Sequence, residues 1–424
     1  MAEVPPGVKG MHDIVSPEAW KWQFLEQQAR DVLEAFAYSE VRTPALEYTP
    51  LFVRSVGEVT DVVEKQMYTF DDRDGKSVSL RPEGTASAVR AYIETAQWHK
   101  QPVTRWYYIG PMFRHETAQR GRLRQFYQVG AEVFGSNEPS LDAEMIAMIV
   151  AMLARFGLDR SALEVSVNSL GEPDEREAYR NTLVAFYRAH IAKLDEDSRR
   201  RLETNPLRIL DSKSPEIVAL NASAPALLET LSEKSKARFN RVQDLLRALG
   251  VTFTVDQRLV RGLDYYTGTI FEIKTKAGEL GSQNTVAGGG RYDRLVSSLG
   301  GPETPAIGFA LGIERALLAI PDTAESYEPA LAVFFAPMDG AALDFALPIA
   351  HRLRDKGIRV EIEHRPGKPG PMLGRANKLR ARAAVIIGSN EVTSGILTVK
   401  DLATGTQSKV SVADLEAKIR QLLD

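Results

Sequence analysis

The sequence predicts an α+β protein in which helices flank an antiparallel sheet, a helical insertion interrupts that sheet, and an α/β domain follows. Short segments rich in aromatic and β-branched residues occupy 76–135 and return at 251–276. A polar, charge-mixed stretch with helical character separates them. Beyond residue 330 strands and helices alternate, which is typical of a separate α/β domain.

Two helices and three strand-like segments are predicted in the first part of the chain. Apolar residues at helical spacing predict a helix over 17–38, with Ser16 as its cap. A second helix is predicted over Leu141–Phe156, with Ser140 as its cap and Gly157 at its end. The strand-like segments between them are 76–82, 103–110 and 125–135.

The last domain is predicted to follow a linker near 320–329. Its first helix is expected over Leu343–Lys356, between strand-like segments, and its final helix is expected to open at Ser411 with Asp414 completing a capping box. The predicted boundaries are 1–170 and 246–320 for the two parts of the sheet domain, 171–245 for the insertion and 330–424 for the α/β domain.

Composition excludes several classes of protein. The 424 residues, 44% of them hydrophobic, suffice for about three units of roughly 150 residues each, so wholesale disorder is excluded. The absence of cysteine excludes a disulfide scaffold, a cysteine nucleophile and a thiolate metal site. No apolar run approaches 18 residues and the first residues do not resemble a secretory signal. We therefore expect a cytoplasmic protein that does not bind a membrane.

Basic charge is concentrated in two places, although the net charge is −3. Residues 351–382 carry ten Lys or Arg against three acids, a local charge of +7. The segment 114–124 carries four arginines against Glu116. Both patches fit contacts to nucleic-acid phosphates, and the alternative for 351–382 is a solvated helix face.

Arginine, glycine, acids and tyrosine recur together in five segments, namely LRPEGT (80–85), FRHETAQRGRLRQFYQVGAE (113–132), RGLDYYTGTIFE (261–272), GGGRYD (288–293) and GFALGIER (308–315). An arginine is costly to bury alone, so several on one sheet indicate a polyphosphate ligand. The alternative for each is a structural salt bridge, and only their number favours a site. No phosphate-binding Gly-x-x-x-x-Gly-Lys loop, dinucleotide fingerprint or Gly-x-Ser-x-Gly elbow is present.

These segments resemble a known family. FRHE with RQFYQ resembles motif 2 of class II aminoacyl-tRNA synthetases, GFALGIER resembles motif 3, and EVRTPALEYTPLF (40–52) resembles motif 1. RGLDYYTGTIFE and GGGRYD are similar to the two signature peptides of the histidyl-tRNA synthetase family. The resemblance covers nearly the whole chain. It implies a class II synthetase-like catalytic domain, with the α/β domain as an anticodon-binding domain.

The resemblance also implies a reaction and its ATP site. Histidine and ATP would form histidyl-adenylate and pyrophosphate, and histidine would then pass to the 3′-terminal adenosine of tRNA(His). Arg114 and Arg261 would hold the α-phosphate from two sides, with Mg²⁺ sharing the charge of the polyphosphate. Arg315 would bind the γ-phosphate and cover the adenine, with Phe126 on its other face. Glu116 and Arg122 would be further nucleotide contacts. By spacing alone, Phe126 is better explained as a core aromatic.

Histidine recognition is implied for six further residues. Glu83, Thr85 and Gln128 would accept hydrogen bonds from its ammonium group. Glu132 and Tyr266 would contact opposite edges of the imidazole, because a carboxylate and a phenol complement its two ring nitrogens. Tyr265 would line the same pocket. Taken in isolation, Glu132 is better explained by a salt bridge to one of the arginines.

Two rival functions remain at this stage. The regulatory subunit of ATP phosphoribosyltransferase is a non-catalytic paralogue that shares the catalytic fold, but it typically lacks the C-terminal domain and has eroded signatures. A simple RNA-binding protein would use the basic patch 351–382 alone. The resemblance favours the enzyme over both. It further implies a homodimer, since motif 1 builds a dimer interface in this class.

Overall fold

The structure is a computed structural model that describes residues 4–57, 60, 62–212, 214–278, 280 and 284–423. The chain divides into two compact units, Met1–Tyr327 and Glu328–Asp424. In the described residues, the first unit contains an eight-stranded sheet and a small three-stranded sheet, and the second contains a five-stranded sheet. Within these residues, we find no helix long and apolar enough to cross a lipid bilayer.

The elements of the first unit follow the predicted order of helix, strands, helices and strands. Its strands are β1 Ser39–Glu40, β2 Leu46–Tyr48, β3 Tyr68–Asp71, β4 Ser77–Leu80, β5 Thr104–Phe113, β6 Gln125–Phe134, β7 Leu163–Ser169, β8 Thr254–Val255, β9 Thr267–Thr275, β10 Thr285–Arg291 and β11 Ala306–Gly312. Its helices are α1 Glu18–Ala35, α2 Thr49–Val56, α3 Thr85–Glu94, α4 Pro139–Arg155, α5 Pro173–Ala189, α6 Glu196–Thr204, α7 Pro215–Asn221, α8 Leu227–Thr230, α9 Glu233–Ala248, α10 Leu295–Ser298 and α11 Ile313–Ala319.

The large sheet has the strand order β1-β5-β6-β11-β10-β9-β7-β8. Its six central strands are antiparallel to their neighbours, whereas the two short edge strands pair in parallel. Helices α1, α4 and α9 contribute to the core on this sheet. Helix α4 is almost continuously apolar, which is the pattern of a helix buried on most of its circumference. The predicted sheet flanked by helices is confirmed.

The polar helical stretch contributes to two different cores. Helices α5 to α8 surround a core of their own, which includes Tyr179, Leu183 and Tyr187. Helix α9 instead buries Phe239, Val242 and Leu246 in the core of the large sheet, against α4. The predicted domain boundaries stay predictions.

Several element ends differ from those predicted. Helix α1 begins at Glu18 without a side-chain cap. Helix α4 has Glu138 at its N-cap position, without a side-chain cap, and Pro139 in its first turn, so the predicted cap Ser140 lies inside the helix. This start is favourable because proline presets the helical φ and needs no N–H partner there. The strand-like stretch 251–276 contains β8 and β9, but its middle, 256–266, forms a loop.

The second unit combines parallel and antiparallel strands. Its strands are β12 Val333–Pro337, β13 Val360–Ile362, β14 Ala383–Ile387, β15 Ile396–Asp401 and β16 Gln407–Ser411, and its helices are α12 Gly340–Asp355, α13 Pro369–Lys378, α14 Ser389–Ser394 and α15 Leu415–Leu423. Strands β13, β12 and β14 are parallel, as the alternating pattern predicts. The hairpin of β15 and β16 extends the sheet on one side in antiparallel pairing.

The predicted start of the final helix is wrong. Ser411 and Asp414 do bond to each other, with the Ser411 hydroxyl 2.6 Å from a carboxylate oxygen of Asp414. Ser411 is nevertheless the last residue of β16, and the helix begins four residues later at Leu415. The same short-range bonds that cap a helix also close a turn, so this pair does not distinguish the two.

Candidate active site

A cleft with an empty volume of about 1020 Å³ lies on the large sheet beside the segments 114–123 and 261–266. Eleven of the twelve residues predicted for the site line it, namely Glu83, Thr85, Arg114, Glu116, Arg122, Phe126, Gln128, Arg261, Tyr265, Tyr266 and Arg315. The twelfth, Glu132, contacts two of the lining residues from behind. The structure therefore brings together residues that lie up to 232 positions apart in the chain, Glu83 and Arg315.

Arg114 and Phe126 are neighbours at one side of this cleft. Arg114 follows β5, and its Nε donates a hydrogen bond to the carbonyl of Pro82 at 2.8 Å. Its guanidinium carbon lies 5.2 Å from the centre of the Phe126 ring, a cation–π contact. Phe126 is half-buried on β6 and lines the cleft, so it is not a plain core residue. Burial lowers the pKa of Arg114 from its usual value.

Arg315 and Arg122 form the next part of the wall. Arg315, in α11, donates from Nε to the carbonyl of Gly121 at 3.1 Å and from Nη1 to that of Thr285 at 2.9 Å. Burial, and then the nearby Arg122, lower the pKa of Arg315. Arg122 itself lies 2.7 Å from a carboxylate oxygen of Glu116. Within the described residues Arg315 forms no ion pair, so its charge is available to an anionic ligand.

Arg261 lies directly over the glycine strand β10. A Cβ on Gly288 would lie 2.6 Å from both terminal nitrogens of Arg261, so a larger residue there would displace this guanidinium from its position. Arg261 is 3.5 Å from a carboxylate oxygen of Glu272, and its guanidinium lies 5.9 Å from the Tyr266 ring centre. Its Nε is buried and has no hydrogen-bond partner among the described residues. An unsatisfied buried donor of this kind indicates a ligand acceptor.

Hydrogen-bond acceptors also line the cleft, beginning with Glu83, which follows the Pro82 carbonyl that Arg114 contacts. The carboxylate of Glu83 accepts from the backbone N–H groups of Thr85 and Ala86, at 2.7 and 2.8 Å, and so caps the first turn of α3. Burial raises the pKa of Glu83. The Oε1 of Gln128 is buried and has no partner in the described part of the chain. These two residues are placed to accept from a cationic ligand.

Glu132 is fully buried and is held by hydroxyl groups. Its carboxyl group accepts hydrogen bonds from Thr85 at 2.8 Å, from Tyr108 at 3.0 Å and from Tyr292. The pKa of Glu132 is raised to about 8, because burial disfavours the charged form more than the hydroxyl donors favour it. It forms no ion pair within the described residues, in contrast to the salt bridge that its sequence context favours.

The glycine opposite Glu132 makes room for its side chain. Gly308 is its paired residue on β11, and a Cβ there would lie 1.6 Å from Oε2 of Glu132. Sequence reasoning missed the two tyrosines that donate to this carboxyl group. Tyr292 belongs to GGGRYD, one of the five segments that the sequence analysis selected, and this membership could have identified it as a site residue. Tyr108 has no such signal, because only the pairing of β5 with β6 brings it near Glu132.

Glu314 is a further residue that sequence reasoning missed. It lines the cleft next to Arg315, and its carboxylate accepts from the backbone N–H of Tyr127, with oxygens at 2.9 and 3.1 Å. Burial raises its pKa to about 7. The signal that could have identified Glu314 is its position in GFALGIER, directly before Arg315, which is predicted to bind phosphate.

Two arginines of the same glycine-rich segments have structural contacts instead. Arg81 is buried and donates to the backbone carbonyls of Pro111 and Thr43, both at 2.9 Å. Arg291 is fully buried and pairs with Asp142 at 2.7 Å. The salt-bridge alternative is thus correct for Arg291, although its buried partner comes from α4.

The described residues contain no group of three or more His, Cys, Asp or Glu side chains arranged to hold a metal ion. Carboxylates do lie beside the arginines of the cleft. Glu272 accepts from the Thr285 hydroxyl at 3.0 Å and lies near Arg261, while Glu116 pairs with Arg122. A divalent cation bound here would need most of its ligands from another source, such as phosphate oxygens.

The basic stretch 351–382 spans α13 and the end of α12 in the second unit. Part of its charge is neutralised within the unit, since Arg375 pairs with Glu361 at 2.8 Å and with Glu363 at 2.7 Å. Exposed lysines at both ends of α13 remain, Lys368 and Lys378. The surface is therefore basic, but less so than the local charge suggests.

Comparisons with known proteins agree with this geometry. The family described as Histidyl-tRNA synthetase matches residues 10–316, and the family described as Anticodon binding domain matches residues 332–422. A histidine–tRNA ligase of Sorangium cellulosum is 48% identical over 417 residues, which cover 98% of this chain and 96% of that protein. The crystal structure of apo S. aureus histidyl-tRNA synthetase superimposes with a TM-score of 0.82 at 34% identity, covering 99% of this chain and 100% of that one.

A further structure bears on the regulatory alternative. It is titled as an ATP phosphoribosyltransferase regulatory subunit/histidyl-tRNA synthetase from Bacillus halodurans, with a TM-score of 0.64 and 22% identity, covering 89% of this chain and 97% of that one. Identity at that level shows the shared fold alone.

The fold, the cleft and the appended anticodon-binding domain together define an aminoacyl-tRNA synthetase. More particularly, the chain belongs to the histidyl-tRNA synthetase family. The predicted histidine-specific ligase is thereby confirmed over the regulatory paralogue.

Proposed function

We propose that the cleft activates L-histidine with ATP and then transfers it to the 3′-terminal adenosine of tRNA(His). One observation carries this proposal. The same cleft holds arginines that bond mainly to backbone carbonyls, Arg114 and Arg315, and a buried acceptor without a partner among the described residues, Oε1 of Gln128. A polyphosphate complements the arginines, and the cationic head group of an amino acid complements the acceptor.

In the first step, a carboxylate oxygen of histidine attacks the α-phosphorus of ATP and pyrophosphate leaves. This nucleophile is already ionised at neutral pH, so no general base is required. Arg114 and Arg261 would neutralise charge on the α-phosphate, and arginines in such roles contribute about 10³–10⁵ in rate. Arg315 would bind the γ-phosphate and cover the adenine. Phe126, next to Arg114, would stack on the other face of the adenine.

Glu116 and Arg122 would contact the nucleotide as a pair, since they lie 2.7 Å apart at the wall of the cleft. Mg²⁺ would enter with ATP, held mainly by phosphate oxygens, with Glu116 and Glu272 as the protein carboxylates beside Arg122 and Arg261. Such a cation neutralises polyphosphate charge and needs only one or two protein carboxylates.

Histidine would lie with its ammonium group against Glu83, Thr85 and Gln128. The unpartnered Oε1 of Gln128 supports this assignment. Its imidazole would lie between Tyr266 and Glu132, and Tyr265 would line the same pocket. Glu132 lies behind the wall of the cleft, where it accepts from the lining residue Thr85 at 2.8 Å. Polar groups of this kind reject analogues without ring nitrogens by roughly 10⁴-fold, because those analogues leave them unpaired.

The anticodon-binding domain would contact tRNA(His) through its basic surface, with Lys368 and Lys378 among the phosphate contacts. We propose the cytoplasm as its site of action, because tRNA is aminoacylated where proteins are synthesised.

A homodimer would form through the region that resembles motif 1. Strand β2 of this region carries Leu46 and Tyr48, which are 45% and 55% exposed, and Phe70 on β3 is 48% exposed. Tyr48 on β2 and Phe70 on β3 are both paired with Val78 of the central strand β4. The three residues therefore form one apolar row across the small sheet. An exposed row of large apolar side chains is typical of a protein interface. A monomer at micromolar concentration in light scattering would contradict this assignment.

ATP–pyrophosphate exchange with each of the twenty amino acids tests the proposed reaction. We expect exchange with histidine alone, reduced about 10³-fold or more by Arg261→Ala and strongly weakened by Glu132→Ala. Arg188→Ala is the matched control, because Arg188 is exposed on α5 and lies outside the cleft. Absent exchange in a folded protein would indicate the regulatory paralogue. Exchange with another amino acid would refute the pocket assignment.

A further inference from the structure

The segment 261–266, which carries Arg261, Tyr265 and Tyr266, is bonded to the insertion through its backbone. Arg176 of α5 donates from Nη1 to the carbonyl of Asp264 and to that of Tyr266, both at 3.0 Å. These two carbonyls lie on either side of Tyr265. Arg208, in the turn after α6, donates to the carbonyl of Gly262 at 2.9 Å. Three backbone acceptors in this six-residue segment thus bond to side chains of the insertion.

The side chain of Asp264 makes a fourth connection. Asn205 donates from Nδ2 to a carboxylate oxygen of Asp264 at 2.6 Å. Apolar contacts reinforce the connection, because Tyr266 and Leu259 belong to the core that helices α5 to α8 surround, and Tyr265 packs against that core. The loop therefore has two sides: its functional side chains line the cleft, and its backbone faces the insertion.

Helix α5 is itself fixed in orientation at the turn that carries Arg176. The neighbouring Glu175 accepts from the backbone N–H of Glu172, from that of Ser232 and from the Ser235 hydroxyl, each at 2.7 Å. These bonds join the start of α5 to the start of α9, which packs in the core of the large sheet. The turn of α5 that carries Arg176 is thus bonded to α9, and through α9 it is connected to the core of the large sheet.

We propose that Arg176 is a positioning residue for histidine activation, which holds Arg261, Tyr265 and Tyr266 in their productive arrangement from outside the cleft. The inference rests on the proposed function of those three residues. Arg176 does not line the cleft, so it acts through the peptide groups around Tyr265. Loss of both bonds would free this part of the loop, and misplacement of a reacting group by about 1 Å costs roughly 100-fold in rate.

Steady-state ATP–pyrophosphate exchange of the full chain tests this role. We expect Arg176→Ala to raise KM for histidine and to lower kcat, with a combined loss in kcat/KM of about 10- to 100-fold. KM for ATP should change less, since Arg114, Phe126 and Arg315 have no bond to Arg176. Arg176→Lys keeps one donor group and should recover part of the loss.

The matched control is Arg180→Ala, one turn further along α5. Arg180 is half-buried like Arg176, but it pairs with Glu177 at 3.4 Å, in the same helix. It should leave KM for histidine unchanged. Asn205→Ala removes a single bond to Asp264, so it is a milder variant should Arg176→Ala fail to fold. It should raise KM for histidine in the same direction by a smaller factor.

The outcomes separate this inference from the proposed function. Exchange in the unaltered protein, together with normal histidine KM in a folded Arg176→Ala or Asn205→Ala variant, would refute the positioning role alone. Reduced thermal stability without any change in histidine KM would also refute it, because that is the result of a purely structural bond. Absent histidine-dependent exchange in the unaltered protein would instead refute the proposed function.

Discussion

Asp142 and Glu132 are both fully buried carboxyl groups of the first unit, yet their surroundings differ in charge. Asp142 on α4 pairs with Arg291 at 2.7 Å, and that arginine is also fully buried. Glu132 on β6 is surrounded by hydroxyl groups and has no cationic partner among the described residues. A buried carboxylate with its own arginine is structurally complete, whereas one without a cation is suited to a ligand that brings one.

The largest expected effect comes from breaking the complete pair. Asp142→Ala leaves the guanidinium of Arg291 buried without its main partner, which should lower the free energy of unfolding by about 3–5 kcal/mol. All four tryptophans, at 20, 22, 98 and 106, lie in the first unit, so tryptophan fluorescence during urea unfolding reports on this unit. Lys276→Ala is a control in the same unit, because it removes an exposed ion pair with Glu164. If Asp142→Ala lowered the free energy of unfolding by less than about 1 kcal/mol, the pair of Asp142 with Arg291 would not differ in kind from the surroundings of Glu132.

Glu132, the carboxyl group without an ion-pair partner, should make the free energy of unfolding depend on pH. The pKa of Glu132 is about 8 when folded, raised by burial, against 4.5 as its ordinary value. Below pH 4.5 the folded and unfolded states both hold the proton, so the contribution of this group to stability is fully present and does not change with pH. Between these pKa values only the folded state holds it, so the free energy of unfolding should fall as pH rises, by at most about 1.4 kcal/mol per pH unit.

Glu132→Gln isolates this contribution, because glutamine does not titrate. Urea unfolding of both proteins from pH 5 to 8 should show a difference that changes steadily, with the variant gaining relative stability at higher pH. The comparison is needed because Glu314, whose pKa burial raises to about 7, contributes a slope of the same sign in both proteins. Parallel pH profiles would mean that Glu132 is charged when folded, and the contrast with Asp142 would then fail.

The sequence was sufficient to predict much of this arrangement where patterns are local. The antiparallel strands β5 and β6 follow from aromatic and β-branched segments separated by a polar loop. The site residues Arg114, Arg261 and Arg315 lie in short motifs whose resemblance to a family specifies them individually. Eleven of the twelve predicted site residues line one cleft, because each motif lies at a strand end or in a loop beside it.

Contacts that depend on strand register or on a second core were not predictable. The donation from Tyr108 to Glu132 depends on the pairing of two strands, which periodicity does not determine. The loop 256–266 resembles a strand because it is rich in apolar and aromatic residues. Those residues instead complete the core of the insertion, as Leu259 and Tyr266 show. A sequence pattern reports that a residue is buried, but not against which element.

The smallest expected effect sharpens the comparison within the Glu132 cluster. Tyr108→Phe removes one of the three hydroxyl donors to Glu132 and should lower the free energy of unfolding by about 1 kcal/mol. Hydrogen bonds from hydroxyls favour the charged carboxylate, so loss of one should raise the pKa of Glu132 further. The fall of the free energy of unfolding with pH should then extend to higher pH.

Tyr107→Phe is the control for this substitution. Tyr107 is the adjacent buried tyrosine on β5 and donates to Glu34 at 3.2 Å, on the opposite face of the sheet. Its loss should cost similar stability and leave both the slope and histidine KM unchanged, whereas Tyr108→Phe should raise histidine KM severalfold. Equal histidine KM in the two variants would show that the hydroxyl groups around Glu132 only fill space, so the cluster would be as structural as the pair of Asp142 with Arg291.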